Sequence, residues 1–287
     1  MSVAMLRRRK LGRTSCREIA GFSDSIHHVV RNDKPMPDGV TLVIRWGTTS
    51  NIPVNNVVNT AEAIHRVGDK AGFRRVLMEN QGQQGGQLLC PRTFFADTVD
   101  QWVPDQQGPV VVRPRVHAQG RHVYLCNTRE EFDAAVRRCG AGWYASHYIP
   151  KVAEYRVTFV QGRVSWVARK TPADPNAVAW NVARGGRFDN VRWDEWPLKA
   201  VRISREAFML SGLDFGAVDV MVDADGNAYV LEINSAPSQT SPYRQECMAK
   251  CFDYLIANGK QTIGVTDQRG GWKKFIHPAL SPEAIMV

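Results

Sequence analysis

The feature that most constrains the fold is a pair of β-branched runs around Asp225-Gly226, within residues 217–234 (AVDVMVDADGNAYVLEIN). Asp-Gly is favoured in the two-residue type I′ turns of β-hairpins. A two-residue loop here fixes the register and places Asp219 directly opposite Glu232. Asn234 follows two residues later and projects from the same face, because side chains alternate along a strand. The sequence therefore predicts two carboxylates and an amide on one face of a hairpin.

Two facing carboxylates repel each other. Their Cβ atoms would lie about 4.5–5.5 Å apart, and like charges at 4 Å cost about 4 kcal/mol at an effective dielectric of 20. A hard divalent cation such as Mg²⁺ would offset this, since it prefers carboxylate and amide oxygens. The alternative is a solvated face on which the acids only promote solubility. Apolar neighbours at Val230, Leu231 and Ile233 favour the metal interpretation.

A second hairpin is predicted over residues 154–170 (EYRVTFVQGRVSWVARK), turning at Gln161-Gly162. A two-residue loop would set Glu154 against Arg169. One face would then be polar, with Glu154, Arg156, Thr158, Arg163, Ser165 and Arg169. Arginines suit phosphates and a carboxylate suits ribose hydroxyls, so this face fits a nucleotide. A merely solvated sheet face fits the pattern equally well.

Composition narrows the function classes. The 287 residues are 44% hydrophobic and 23% charged, as in ordinary globular proteins, and no run approaches the ~18 apolar residues of a membrane span. Six cysteines without close pairs exclude a disulfide scaffold and a typical zinc site. The arginine-rich first residues lack the apolar segment of a secretory signal, which predicts a cytoplasmic protein. The net charge of +9 favours polyanionic ligands.

Local signals along the chain mix strands and helices without a regular βαβ alternation, which predicts an α+β fold. Residues 1–40 carry an excess of positive charge and are interpreted as a solvated, partly flexible basic arm. A strand is predicted at 41–46, and a strand at 110–112 pairs with one at 122–126. Helices are predicted after the caps Asn59 or Thr60 and Thr128, and a further helical pattern covers residues 69–79.

Taken in the order in which they follow along the chain, these strands, helices and hairpins resemble the ATP-grasp superfamily. Over about residues 69–237 they resemble most closely the RimK-like carboxylate-amine ligases. The most specific motif is AVDVMVDADGNAYVLEINSAPS at 217–238. The resemblance implies two α+β subdomains that clasp ATP between antiparallel sheets. It also implies that Asp219, Glu232 and Asn234 hold Mg²⁺, with Mn²⁺ as an alternative, which agrees with the register argument.

Further positions carry over from the family. The resemblance implies that Lys70 and Arg113 contact the phosphates, although the family normally has a lysine at the position of Arg113. The resemblance also implies a linker that binds adenine, formed by His147, Tyr148 and Ile149. It implies that Glu154 binds the ribose and that Lys170 binds the nucleotide. Near the phosphates and the acyl substrate, it implies the catalytic residues Arg156, Arg169 and Asn181.

The resemblance implies three regions: a basic arm with a reduced N-terminal subdomain at 1–62, an ATP-grasp domain at 63–258 and a tail at 259–287. The implied activity joins a carboxylate to an amine through an acyl phosphate, with an amino acid, peptide or protein terminus as substrate. One alternative is phosphotransfer to a hydroxyl. Another is a non-catalytic nucleotide- or nucleic-acid-binding module that uses the basic arm. In the tail, Trp272, Phe275 and Ile276 are expected to cover the chain's own core.

Overall fold

The computed structural model describes residues 1–10, 12–80, 89–97, 108–115, 122–174, 177–178, 180, 185–265 and 271–280. These residues form three sheets, each flanked by helices. The first sheet is parallel and the other two are antiparallel. Strands and helices are mixed as predicted, which confirms the α+β class.

The first sheet has the order β2-β1-β3-β4 and is wholly parallel. Its elements are β1 (Ser2–Arg7), α1 (Arg13–Phe22), β2 (His28–Arg31), β3 (Val40–Trp46) and β4 (Val57–Val58). Val3, Met5 and Leu6 of β1 are fully buried. The prediction of a solvated arm at 1–40 is therefore wrong, because the apolar residues of β1 are covered on both faces and the arginines cluster where the strand ends.

The second sheet has the order β5-β8-β6-β7 and a small core of its own around Phe132 and Trp143. The elements of this part are α2 (Ala61–Gly68), α3 (Lys70–Glu79), β5 (Thr93–Phe95), β6 (Val110–Arg113), β7 (Tyr124–Cys126), α4 (Arg129–Cys139) and β8 (Tyr144–His147). The side chains of Thr60, Asp69 and Thr128 accept backbone N–H bonds at the helix starts. The predicted caps at Thr60 and Thr128 are confirmed, and Asp69 caps the helix that the pattern over 69–79 predicted.

The third sheet has the order β11-β10-β9-β12-β13 and carries the main core. Its strands and the two helices that accompany it are β9 (Lys151–Val160), β10 (Arg163–Thr171), β11 (Arg187–Asn190), α5 (Leu198–Ser211), β12 (Phe215–Asp223), β13 (Ala228–Asn234) and α6 (Pro242–Asn258). Phe275 and Ile276 are buried, and the His277 N–H donates to Val164 O at 2.9 Å. The tail thus covers the chain's own core, as predicted.

A close approach joins the first sheet to the end of the third. Gly47 follows β3, and a Cβ atom there would lie 2.6 Å from the Cβ of Ala236. Arg8 Nε donates to Gly47 O at 2.6 Å, and the Gln239 N–H donates to Ser15 Oγ at 3.0 Å. The carboxyl edge of the parallel sheet therefore packs against the segment that directly follows β13.

All six cysteines are free, and Cys247 and Cys251 pack in the main core. In the described part of the chain, no helix combines the length and the apolarity that crossing a membrane requires.

Candidate active site

The hairpin of β12 and β13, called here the acid hairpin, places Asp219 opposite Glu232 as predicted. The route to this pairing differs from the prediction. The loop has three residues, 224–226, because Asp223 N–H donates to Asn227 O at 3.0 Å, and this shifts the register by one. A β-bulge then adds Leu231 to β13 and shifts the register back. The predicted two-residue turn is therefore wrong, whereas the predicted pairing of Asp219 with Glu232 is confirmed.

The acid hairpin keeps its two carboxylates ionised. Asp219 is 3% exposed and accepts two bonds from Arg156, at 2.7 and 2.8 Å. Burial raises the pKa of Asp219, but Arg156 and Lys170 outweigh it and hold the pKa below its ordinary value. Glu232 forms an ion pair with Lys70 at 3.1 Å. Burial likewise raises the pKa of Glu232, and Lys70 reverses the effect and lowers it strongly.

The hairpin of β9 and β10, called here the cation hairpin, turns at Gln161 and Gly162, whose φ angles of 50° and 77° agree with the predicted turn. A bulge at Ser165 then shifts the register by one, and Arg169 pairs with Tyr155 instead of Glu154. Arg169 is exposed on the opposite face. The prediction that Arg169 faces Glu154 is therefore wrong, and Lys170 takes that place.

The two other β10 residues predicted for the polar face also lie elsewhere. Arg163 donates to Lys274 O near the turn. Ser165 is fully buried and its hydroxyl donates to Thr158 O at 3.3 Å. The bulge takes Ser165 out of the simple alternation of side chains along β10, whereas Arg163 lies before the bulge and keeps its predicted pairing with Val160.

The two hairpins meet because β9 and β12 are neighbours in the sheet, with Arg156 and Asp219 as direct partners. Glu154 is 2% exposed and accepts a bond from Lys151 Nζ at 2.6 Å and another from Lys170. Burial lowers the pKa of Lys170, but Asp219 and Glu154 outweigh it and raise the pKa overall. The result is a cluster in which four cations, Lys70, Lys151, Arg156 and Lys170, surround three carboxylates, Glu154, Asp219 and Glu232.

The remaining predicted nucleotide residues lie on the second sheet. Arg113 ends β6 and donates to Ser146 Oγ at 2.9 Å, and its pKa is lowered, first by burial. The N–H groups of His147 and Tyr148 donate to Arg92 O and Pro109 O. Adenine recognition by this linker would therefore use its carbonyl groups or the Ile149 amide. Asn181 lies outside the described residues.

Residues 68–247 match the family model of the RimK-like ATP-grasp domain. The chain belongs to the RimK-like ATP-grasp family. A segment of 40 residues is 55% identical to D-alanine–D-alanine ligases of Burkholderia orbicola (strain MC0-3) and Burkholderia vietnamiensis (strain G4 / LMG 22486). That segment is 14% of this chain and spans only 13% of the length of those enzymes.

Solved structures show the same fold. The D-alanine–D-alanine ligase of Bacillus anthracis has a TM-score of 0.64 at 13% identity, over 90% of this chain and 95% of that one. The macrocyclase MdnC of Microcystis aeruginosa MRC, bound with its precursor peptide MdnA, has a TM-score of 0.60 at 14% identity, over 90% of this chain and 100% of that one. A RimK domain protein of Sphaerobacter thermophilus DSM 20745 has a TM-score of 0.59 at 16% identity, over 88% and 99%. The predicted ATP-grasp fold is confirmed.

The oxygen donors of this ATP-grasp protein fit a hard cation that is shared with a ligand. Within the described ranges, no three His, Cys, Asp or Glu side chains gather into a complete metal site. Asn234 donates through Nδ2 to Glu232 at 3.1 Å, so its Oδ1 can act as a ligand beside Asp219 and Glu232. Three such oxygens are half of the octahedral set of Mg²⁺, which usually takes the rest from water and phosphates.

Sequence reasoning missed three residues of this ATP-grasp site. Lys151 pairs with Glu154, and the i, i+3 spacing of opposite charges could have indicated it. Phe188 lies on the edge strand β11, where its ring meets Arg156, Lys170 and Arg244. Arg244 lies in the first turn of α6 and reaches back to β11. No motif marks Phe188 or Arg244, because tertiary packing alone brings them to the cluster.

Proposed function

We propose that this RimK-like ATP-grasp protein is an ATP-dependent ligase that joins a carboxylate to an amine through an acyl phosphate. The observation that carries the proposal is the cluster between the two hairpins, in which four cations surround three carboxylates. Such a cluster suits the β- and γ-phosphates of a nucleotide together with a divalent cation.

The proposed reaction has two steps. A carboxylate oxygen of the acid substrate attacks the γ-phosphorus of ATP, the bond to the bridging oxygen breaks, and ADP leaves. The amine nitrogen then attacks the acyl carbon, phosphate leaves with the C–O electron pair, and the nitrogen loses a proton as the amide forms. The protein needs little covalent chemistry of its own, since both steps depend on positioning and charge neutralisation.

Each residue of the cluster has a proposed role. Lys70, Arg113, Arg156 and Lys170 neutralise the phosphates, and Glu154 binds the ribose while it keeps Lys170 and Lys151 in place. Asp219, Glu232 and Asn234 would hold Mg²⁺, or Mn²⁺ in its place, and a bound divalent cation would polarise phosphate oxygens. Arg169 is not assigned a role, because it points away from the cluster.

The activities of similar proteins support ligation over phosphotransfer to a hydroxyl. The similarity to D-alanine–D-alanine ligases supports a free amino acid as the substrate of this protein. The similarity to the macrocyclase solved with a precursor peptide supports a peptide. We propose that the acid and amine belong to an amino acid, a peptide or a protein terminus. The six free cysteines are consistent with a reducing cytoplasm, where ATP is also available.

The proposal is tested by supplying a panel of amino acids and peptides whose carboxylates carry ¹⁸O, with ATP and Mg²⁺. A ligase transfers one ¹⁸O from the carboxylate to the inorganic phosphate, which mass spectrometry detects. Phosphotransfer to a hydroxyl would instead give a stable phosphorylated product. Glu232→Gln should release phosphate at least about 100-fold more slowly, whereas Asp225→Asn at the exposed turn should match the parent. Unlabelled phosphate with every substrate would contradict the acyl phosphate.

The binding-module alternative makes a separate prediction. Nucleic-acid affinity that falls steeply with salt and is unchanged in Asp219→Asn would favour it. The exposed arginines at the end of β1 would then carry the contact, and no amide product would form.

A further inference from the structure

Phe188 lies at the centre of a group of cations. The Arg156 Cζ atom is 4.6 Å from the centroid of its ring, Lys170 Nζ is 5.6 Å away and Arg244 Cζ is 5.6 Å away. The strand register explains why Phe188 lies close to the site, since Phe188 on β11 pairs with Lys170 on β10. Cations are attracted to the face of an aromatic ring, and the attraction strengthens when the pair is desolvated.

Arg244 fixes the strand that carries this ring. Its Nε donates to Asn190 Oδ1 at 2.7 Å and its Nη2 donates to Phe188 O at 2.9 Å, so one guanidinium binds both ends of a short segment of β11. The guanidinium also lies over Trp166, with Cζ 5.0 Å from the ring centroid. Because β11 is an edge strand with a single strand neighbour, α6 supplies its second attachment through Arg244.

The charge of Arg244 is unusual for its position. The side chain is 3% exposed and, within the described residues, forms no ion pair with a carboxylate. Burial and, next, the charge of nearby Arg156 lower its pKa to about 10. A buried cation beside another cation is costly. The two aromatic rings, the two hydrogen bonds and the charge of the nearby Asp189 carboxylate offset this cost.

Arg156 is therefore held from two sides, by the carboxylate of Asp219 and by the ring of Phe188. A ligand phosphate would compete with Asp219 for the same guanidinium, whereas the ring contact would persist. We infer that Phe188 and Arg244 are positioning residues, which keep Arg156 and Lys170 aimed at the phosphates while Asp219 changes partner. This inference rests on the proposed function.

Kinetics provide the first test. Phe188→Leu should lower kcat about tenfold, because it removes the ring contact, with little change in the KM for ATP. Phe188→Tyr keeps the ring and should restore parental kcat. Arg244→Lys keeps the charge but cannot make both bonds to β11, and it should resemble Phe188→Leu. Arg187→Lys, on the exposed side of the same strand, is the matched control and should match the parent.

A double-mutant cycle separates positioning from general destabilisation. If Phe188 acts through Arg156, then Phe188→Leu should cost less than about twofold in an Arg156→Lys background. Additive losses in the cycle would overturn the inference. Because a variant could fail to fold, Phe188→Leu and Arg244→Lys are each compared with the parent by thermal unfolding, and either one suffices for the cycle.

A measurement that does not depend on enzyme activity distinguishes the positioning role of Phe188 and Arg244 from the proposed ligase function. The Nε–H signal of Arg156, identified in ¹⁵N spectra by its loss in Arg156→Lys, should exchange slowly in the parent and in Phe188→Tyr. It should broaden or exchange about tenfold faster in Phe188→Leu and Arg244→Lys. An unchanged signal in both variants would overturn the positioning role. If no substrate yields phosphate but the signal responds as expected, the proposed function fails and the positioning of Arg156 stands.

Discussion

The acid hairpin and the cation hairpin each contain one bulge, and the bulges have opposite consequences for the site. In the acid hairpin, Leu231 corrects the shift that the three-residue loop introduces, so Asp219 meets Glu232. In the cation hairpin the turn is regular, and Ser165 introduces a shift that replaces Arg169 by Lys170. The face of the sheet on which a charged residue lies therefore depends on the length of the turn and on every bulge between the turn and that residue.

Side-chain hydrogen bonds stabilise each bulge, from a distant helix in the acid hairpin and from the bulge residue itself in the cation hairpin. In the acid hairpin, Arg74 of α3 donates to Val230 O at 3.0 Å and to Leu231 O at 2.6 Å, and the Val230 N–H donates to Leu89 O. In the cation hairpin the Ser165 hydroxyl bonds to Thr158 O. These contacts satisfy backbone groups at the bulges that would otherwise be buried without partners.

The largest expected effect comes from the pair that joins the two hairpins. Asp219→Asn removes the charge that Arg156 and Lys170 share, and it should slow phosphate release about 1000-fold. It should also lower the free energy of unfolding by about 3 kcal/mol, because Arg156 remains buried without its carboxylate. Urea denaturation and a phosphate assay measure the two effects. Equal stability of variant and parent would show that this pair does not join the hairpins energetically.

A matched pair of neighbours tests the register of the cation hairpin. Lys170→Met should weaken binding of a Mg²⁺–ATP analogue about 10- to 100-fold, because charged hydrogen bonds contribute about 1.5–3 kcal/mol each. Arg169→Met should bind within about twofold of the parent, since Arg169 is exposed on the other face. Isothermal titration calorimetry gives both constants. The reverse order of effects would mean that β10 is paired without its bulge.

The pH dependence of stability should separate the two hairpins. His277, bonded to the cation hairpin through its backbone, is fully buried, and burial lowers its pKa to about 3. The unfolded chain therefore binds a proton that the native chain excludes, and the free energy of unfolding falls as the pH drops from about 6.5 toward 3, by up to about 1.4 kcal/mol per pH unit. Asp219 and Glu232 have lowered pKa values, so their contribution is complete above about pH 5 and is lost as the pH falls below it.

Urea midpoints measured from pH 7 to pH 4 test this separation. His277→Gln should flatten the decline in this range, whereas His65→Gln, at an exposed position, should leave it as in the parent. A parental decline that persists in His277→Gln would assign the proton uptake to another group.

The smallest effects concern the two turns. Gly162 and Gly226 have φ angles of 77° and 74°, so alanine at either position should cost about 1–2 kcal/mol. A Cβ at position 226 would meet open space, whereas one at 162 would lie 3.2 Å from Met209 Sδ. Gly162→Ala should therefore lower the urea midpoint more than Gly226→Ala. The opposite order would indicate that Met209 moves aside without cost.

Much of this architecture follows from local sequence patterns. The caps at Thr60 and Thr128, the turn at Gln161-Gly162 and the strands of both hairpins depend on neighbouring residues, and they were predictable for that reason. The bulge of the acid hairpin and the contacts of Arg244 depend on residues far away in the chain. The three-residue loop and the bulge at Ser165 have local contacts, but the alternation of residue types along the strands does not mark them. The burial of β1 was missed because its arginines dominated the interpretation of a strand whose apolar residues are covered by α1 and β3.

The close packing of Gly47 against Ala236 limits how the first sheet can be exchanged for that of another family member. A transplanted first sheet would need glycine after its third strand, since a methyl group there would overlap the side chain of Ala236. Recombinant chains with a larger residue at this position are therefore expected to fold poorly unless the segment that follows Asn234 is exchanged with it.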